Sequence, residues 1–211
     1  MKKIIILGMI FLVIGSSKSG IACTGFMAVE DTSVLMGNNE DWLYPDAYIW
    51  FHPAAGNVYG RMQITCNYPL PQNPNYFTSF SGMNEMGLCY DVFLHPIKPV
   101  LNSTQKPSFN GDLMSYCLQT CATVSEVLAI FELFNLAFMD DIQYFIVDAN
   151  GDAAIIEGDE IIYKQGTFQV VTNFLQSDPW HGWYPCWRYS TATSMLENMT
   201  SLTQTFFRDI C

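Results

Sequence analysis

The stretch SGIACTGFMAVEDTSVLMGNNEDW, Ser19 to Trp42, decides how this chain is read. One cysteine, Cys23, sits directly behind a run of small residues and directly ahead of a strand pattern. Cys23 to Val29 is apolar and β-prone, Ser33 to Gly37 is a second short run, and Glu30-Asp31-Thr32 supplies turn residues between them. The pattern predicts a hairpin that begins at the cysteine.

Upstream, Met1-Lys2-Lys3 precedes an apolar run from Ile4 to Gly15 and the small-residue stretch Ser16 to Ala22. A basic start, an apolar middle, and Gly20 and Ala22 at the third and first positions before a cut match a secretory signal peptide. The run is shorter than the ~20 apolar residues a spanning helix needs. Residues 1–22 are therefore read as a signal peptide removed after Ala22. Residues 23–211 are read as one secreted or extracytoplasmic domain with no stable membrane anchor.

The signal holds three of the nine Lys+Arg and none of the twenty Asp+Glu, so six cations face twenty acids in the rest. That excess argues against nucleic acid and anionic lipid as partners. Arg61, Lys98, Lys106, Lys164, Arg188 and Arg208 are the fixed cations left for any site. Seven cysteines remain, an odd number that leaves at least one without an intrachain partner in an exported protein. Six could pair outside the cytosol. Cys117 and Cys121, one helical turn apart, read equally well as small core residues or as a bridge.

Downstream, strands are expected at Tyr48–Phe51, Arg61–Cys66, Phe77–Gly82 and Leu88–Leu94, with a Pro/Asn-rich loop over Tyr68 to Asn75. Asn110 or Asp112 caps a helix through Met114, Cys117, Leu118 and Cys121; Ser125 caps a second with Val127, Ile130, Phe131 and Phe134 on its apolar face. Strands resume over Gln143–Ala149 and Asp152–Glu157 around a two-residue Asn150-Gly151 turn, then Ile161–Lys164 and Phe168–Asn173. Pro185–Asn198 reads as a last helix. Helices segregated from mostly antiparallel strands indicate an α+β fold with sheets face to face and helices outside.

No Gly-x-Ser-x-Gly elbow, P-loop or dinucleotide fingerprint is present. His52, His95 and His181 show no zinc spacing, so no metal or cofactor is expected. Cys23 keeps three readings: lipid attachment point, structural or disulfide cysteine, and nucleophile. A lipobox wants a large aliphatic residue where Gly20 stands. A cut after Ala22 would instead leave a thiol and an α-amine on one residue. An α-amine with a pKa of roughly 8 can take the thiol proton and later pass it to a leaving amine.

Cys23-Thr24-Gly25-Phe26 followed by Gly37-Asn38-Asn39-Glu40-Asp41-Trp42 resembles the cysteine Ntn-hydrolases. This is the choloylglycine hydrolase, penicillin V acylase and acyltransferase-like group of linear-amide hydrolases. Ser81 to Leu88 looks like the group's "GMNEKGL" stretch, Asp148 to Glu157 like its hairpin, and Val170 to Phe174 like its "VTN" strand end. Trp187-Arg188-Tyr189 lies where a helix start with arginine is expected.

The resemblance implies an αββα four-layer sandwich and an acylase or amidase cleaving a non-peptide linear amide through a thioester at Cys23. Asp41 would hold the amine or thiol. Asn173 would point its amide N–H at the oxyanion, and Arg188 would stabilise charge or hold a substrate carboxylate. Asn84 and Gly87 shape a turn. Many bile-salt and penicillin hydrolases carry arginine where this chain has Asn38, which offers no fixed charge or bidentate fork. Asn38 and Arg61 are the candidate substrate-binding residues, Arg61 as a spatial stand-in. Family members usually run past the Arg188 helix, so the chain is expected to be a fragment or a shortened member with an incomplete sheet. An acyltransferase and a non-catalytic secreted binding protein are the alternatives. The partner is a small-molecule amide; nothing sets the oligomeric state.

Overall fold

The computed structural model describes residues 23–41, 46–67 and 77–211. The signal-peptide reading of residues 1–22, Trp42 of the second motif and the loop Tyr68 to Asn75 lie outside the described residues. Strands β1 (Thr24–Glu30) and β2 (Ser33–Asn39) form the expected hairpin, paired from Thr24↔Asn39 to Glu30↔Ser33. Asp31 takes a positive φ of 54° at the turn, a conformation that aspartate tolerates better than most residues. The remaining strands are β3 (Ala47–His52), β4 (Arg61–Asn67), β5 (Phe77–Asn84), β6 (Cys89–Leu94), β7 (Ile142–Val147), β8 (Ala153–Glu157), β9 (Glu160–Tyr163) and β10 (Phe168–Val171).

Two antiparallel sheets result. One has the order β10-β1-β2, the other β3-β4-β5-β6-β7-β8-β9. Helices α1 (Leu113–Thr120) and α2 (Val124–Phe131) cover the larger sheet; α3 (Trp187–Glu197) and α4 (Gln204–Ile210) cover the smaller. The order of layers is helices, sheet, sheet, helices, the αββα sandwich.

Period-two alternation writes these layers into the strands. On β1, Phe26 and Ala28 face α3 and α4, while Cys23 and Met27 face the other sheet. On β7 and β8, Phe145, Val147, Ala153 and Ile155 enter the layer between the sheets. Their neighbours Tyr144, Ile146, Ala154 and Ile156 pack under α1 and α2. Fully burying a side chain such as Phe26 or Phe145 contributes ~2–3 kcal/mol. Gly25 lets the sheets close: a Cβ there would come within 2.5 Å of Phe93 Cζ.

Several local details differ from expectation. Helix α2 is capped by Thr123, whose hydroxyl takes the Glu126 N–H while the Glu126 carboxylate takes the Thr123 N–H. That reciprocal Thr-x-x-Glu pair outcompetes Ser125 as a cap. Phe134 lies beyond the helix and packs against its core cluster from there. The β7–β8 turn has three residues, not two, because Asp148 closes it by exchanging a backbone bond with Asp152 and accepting two more N–H groups on Oδ1. Helix α3 starts at Trp187, two residues later than predicted, and α4 was not anticipated. Cys117 and Cys121 form no disulfide; both are buried, Cys117 on α1 and Cys121 at its end, the core reading. Exposed apolar residues gather on the edge strand β3, where Ile49 and Phe51 are exposed. No helix among the described residues is long and apolar enough to cross a membrane.

Candidate active site

Three adjacent strands deliver the site from one end of the smaller sheet. Thr24 pairs with Asn39 and Gly25 with Val171. Cys23 therefore precedes β1 beside the exits of β2 (Glu40, Asp41) and β10 (Thr172, Asn173). The first turn of α3 adds Arg188 from above. Cys23 is buried, 2% exposed.

Asn173 is the hub. Its Oδ1 accepts the Cys23 N–H at 2.8 Å and both terminal nitrogens of Arg188 at 3.3 Å. Its Nδ2 donates to the Leu94 carbonyl at 3.0 Å, which ties the two sheets together. The side chain thus presents its oxygen to Cys23 while the end of β6 takes one of its two amide N–H groups, so neither of these contacts is the oxyanion-directed N–H that was expected. Arg188 donates to the Cys23 carbonyl and, at 3.3 Å, to Thr24 Oγ1. Its guanidinium thus grips the nucleophile's own backbone.

The thiol side holds a second correction. Cys23 Sγ donates to Glu40 Oε2 at 3.1 Å, and Asn38 Nδ2 donates to Glu40 Oε1 at 3.1 Å. Asp41 meets the sulfur with its backbone N–H only; its carboxylate is exposed. A strand turns successive side chains to opposite sides, so one of two adjacent acids faces the cysteine, and it is Glu40. Burial, then the Glu40 charge, pushes the Cys23 thiol up to about 12, with the Asp41 N–H pulling the other way.

Asp91 stands behind Glu40. It shares the inward parity of Phe93 on β6 and is wholly buried. Burial and the neighbouring Glu40 charge hold its carboxyl well above the usual carboxylate range. The sequence signal was an acid at an inward position of a buried strand, Cys89-Tyr90-Asp91-Val92-Phe93.

Arg61 does not join the site. It pairs with Asn84 of β5, whereas Asp91 of β6 pairs with Ser81, so Arg61 lies two strands away from Asp91 and displaced along the sheet. It lines a shallow groove with Phe51, His52, Met83 and Glu85. Asn84 shapes the β5–β6 turn as expected, accepting from Met86 and Leu88 and donating to the carbonyls of Leu118 and Cys121. Among the described residues no cluster of His, Cys, Asp and Glu is arranged to hold a metal ion.

No family model matches the chain, and no curated protein does. Solved structures do. An ortholog of N-acylethanolamine-hydrolyzing acid amidase from Caenorhabditis elegans superposes with a TM-score of 0.56 at 12% identity, over 89% of this chain and 85% of that one. Two variants of conjugated bile acid hydrolase from Clostridium perfringens superpose with a TM-score of 0.53 at 16% identity. This chain spans 58% of their length. These are cysteine Ntn-hydrolases of the linear-amide group, and theirs is the fold this chain adopts.

Proposed function

We propose that the protein is a secreted amidohydrolase that cleaves a linear, non-peptide amide through a thioester at Cys23, after removal of residues 1–22. The observation that carries this reading is the grip on Cys23. Its nitrogen is held by Asn173 Oδ1 at 2.8 Å and its carbonyl by Arg188, at the open end of β1. A cut before Cys23 would turn that nitrogen into an amine already oriented by Asn173.

The chemistry then follows. The neutral α-amine takes the thiol proton as sulfur attacks the amide carbonyl, since a thiol held near 12 does not ionise ahead of attack. The Asp41 N–H, already at the sulfur, is a backbone donor near the charge that develops. Collapse breaks the C–N bond, and the proton passes to the leaving amine. Water then attacks the thioester, with the α-amine as base, releasing the acid and restoring the thiol.

The names of the similar proteins set the test substrates: an N-acylethanolamine and a conjugated bile acid. The expected result is a mature N-terminus at Cys23, turnover of at least one acyl amide, and no turnover by Cys23→Ala. An N-terminus elsewhere, or full activity in Cys23→Ala, overturns the mechanism. Glu40, an anion where the group commonly has a cation nearby, favours one second reading, a non-catalytic binding protein. Ligand binding without turnover by the cut protein would establish it.

A further inference from the structure

Gln143 is an amide in an otherwise apolar and aromatic strand, β7, with the sequence IQYFIV. It is wholly buried. It shares the inward parity of Phe145 and Val147, so its side chain enters the layer between the two sheets. There Nε2 donates to the Thr172 carbonyl at 2.9 Å and to the Phe174 carbonyl at 3.3 Å. These two carbonyls flank Asn173. Two acceptors on one side fix the orientation of the amide, with its nitrogen toward the chain that leaves β10.

The bonds fall where regular pairing has ended. The ladder of β10 with β1 stops at Gly25↔Val171. Asn173 lies two residues further on, outside any strand, yet its Oδ1 meets the Cys23 nitrogen at 2.8 Å. Its Nδ2 is anchored on the Leu94 carbonyl at the end of β6, and Phe93 of β6 pairs with Gln143. The main chain around Asn173 is thus held from β7 and its side chain from β6, adjacent strands of the larger sheet. Filling the layer does not call for an amide. No protein group among the described residues donates to the buried Oε1, and an apolar side chain of that length would strand no acceptor.

We propose that Gln143 is a positioning residue that sets Asn173 and, through Asn173, the nitrogen of Cys23. The inference rests on the reading of Cys23 as a nucleophile whose own nitrogen is the base. Gln143 touches neither the thiol nor the substrate. It carries the geometry of the larger sheet across the layer to the group that orients the base. The charged and titratable side chains of the neighbouring elements are turned to other partners. Arg188 on α3 meets the Cys23 carbonyl and Asn173, and Glu157 at the end of β8 takes the Gln176 and Ser177 N–H groups. Asp91 on β6 takes the Val92 N–H, and His95 beyond β6 meets the Pro96 and Ile142 carbonyls.

The test joins kinetics of the cut protein on an acyl amide with crystal structures of wild type and variants. Gln143→Met keeps the length and loses both donors. It should lower kcat by about 10- to 100-fold, leave KM nearly unchanged, and move Asn173 Oδ1 out of hydrogen-bond reach of the Cys23 nitrogen. Gly82→Ala, which disturbs α1 away from the site, should lose stability and keep kcat. Gln143→Glu keeps the shape, and only its protonated form has an O–H to donate to a flanking carbonyl. Its kcat relative to wild type should therefore be higher near pH 5 than near pH 8, and that ratio decides the matter if Gln143→Met does not fold. A Gln143→Met protein with kcat unchanged, or with KM alone raised, overturns the proposal, as does a pH-independent ratio for Gln143→Glu. Wild type that turns over amides beside a Gln143→Met protein with Asn173 in place and kcat intact would keep the functional reading and lose the positioning role. Wild type without turnover, beside a Gln143→Met structure in which Asn173 has left Cys23, would do the reverse.

Discussion

Replacing Arg188 by glutamine tests whether the guanidinium grips the nucleophile or waits for substrate. The substitution removes the charged donor from the Cys23 carbonyl and from Thr24 Oγ1 and Asn173 Oδ1, the last two at 3.3 Å. A hydrogen bond to a charged group contributes ~1.5–3 kcal/mol. The contact with the Cys23 carbonyl falls in that range, the longer two add less, and Arg188 is only half-buried. A stability loss of about 2 kcal/mol is expected, or roughly 4–8 °C in Tm for a domain of this size. Freed from one side, Cys23 would shift relative to Asn173, and an ångström of misplacement costs ~100-fold in rate. The assay is steady-state kinetics of the cut protein on a neutral acyl amide and on one whose amine carries a carboxylate, beside urea unfolding. A positioning role lowers kcat on both substrates and leaves KM nearly unchanged. Arg188→Lys should recover part of the stability but not the rate, because a compact ammonium cannot span the three acceptors. A raised KM for the carboxylate substrate alone, with kcat intact on the neutral one, would refute the reasoning and make Arg188 a substrate clamp.

Two further outcomes follow from the packing. Gly82→Ala would set a Cβ 2.8 Å from Leu118 Cδ1 and 2.9 Å from the Met62 carbonyl, pushing α1 off the larger sheet. The expected cost is ~1–3 kcal/mol in urea unfolding, and an unchanged midpoint would contradict the layer assignment. Asp91 holds its proton more tightly folded than unfolded, so its contribution is whole below the unfolded value and is lost as pH rises through the raised one. Asp91→Asn should therefore lose less stability than the wild type between pH 4 and pH 8, and parallel curves would count against a protonated Asp91.

Much of the fold was legible because its strands alternate cleanly. Cys23–Val29 and Gln143–Glu157 sort their side chains into two layers by parity alone, and that parity survives in the structure. What stayed hidden depends on competition between local devices. Thr123 and Ser125 are both acceptable caps, and only the returning Glu126 carboxylate chooses between them. Helix α4 is a single short turn pair whose Phe207 matters because its ring packs, tilted, against that of Phe26, 5.0 Å away and far off in sequence. In the site, Cys23, Asn173 and Arg188 do converge. The acid was misassigned by one position, since motif spacing names Asp41 while the exit of β2 turns Glu40 inward and leaves Asp41 only its backbone. Arg61 failed for a reason sequence distance conceals: its register partner Asn84 lies at the far side of the β5–β6 turn from the cysteine.

The electrostatics of the thiol make sense once the proposed cut is considered together with Glu40. In the uncut chain the Cys23 nitrogen is an amide, with no capacity to accept a proton. The thiol then faces an anion 3.1 Å away and stays protonated. Once the nitrogen is an amine, moving the proton from sulfur to nitrogen creates an ammonium and a thiolate on the same residue. The Glu40 charge opposes the thiolate but favours the ammonium, so its net effect on the transfer is small compared with its effect on the thiol alone. Arg188, on the Cys23 carbonyl, weights the balance back toward a neutral amine before attack, which is the form that acts as base. An anion at this position is thus compatible with a nucleophile whose base is its own nitrogen. It would be hard to reconcile with a cysteine that had to ionise unaided.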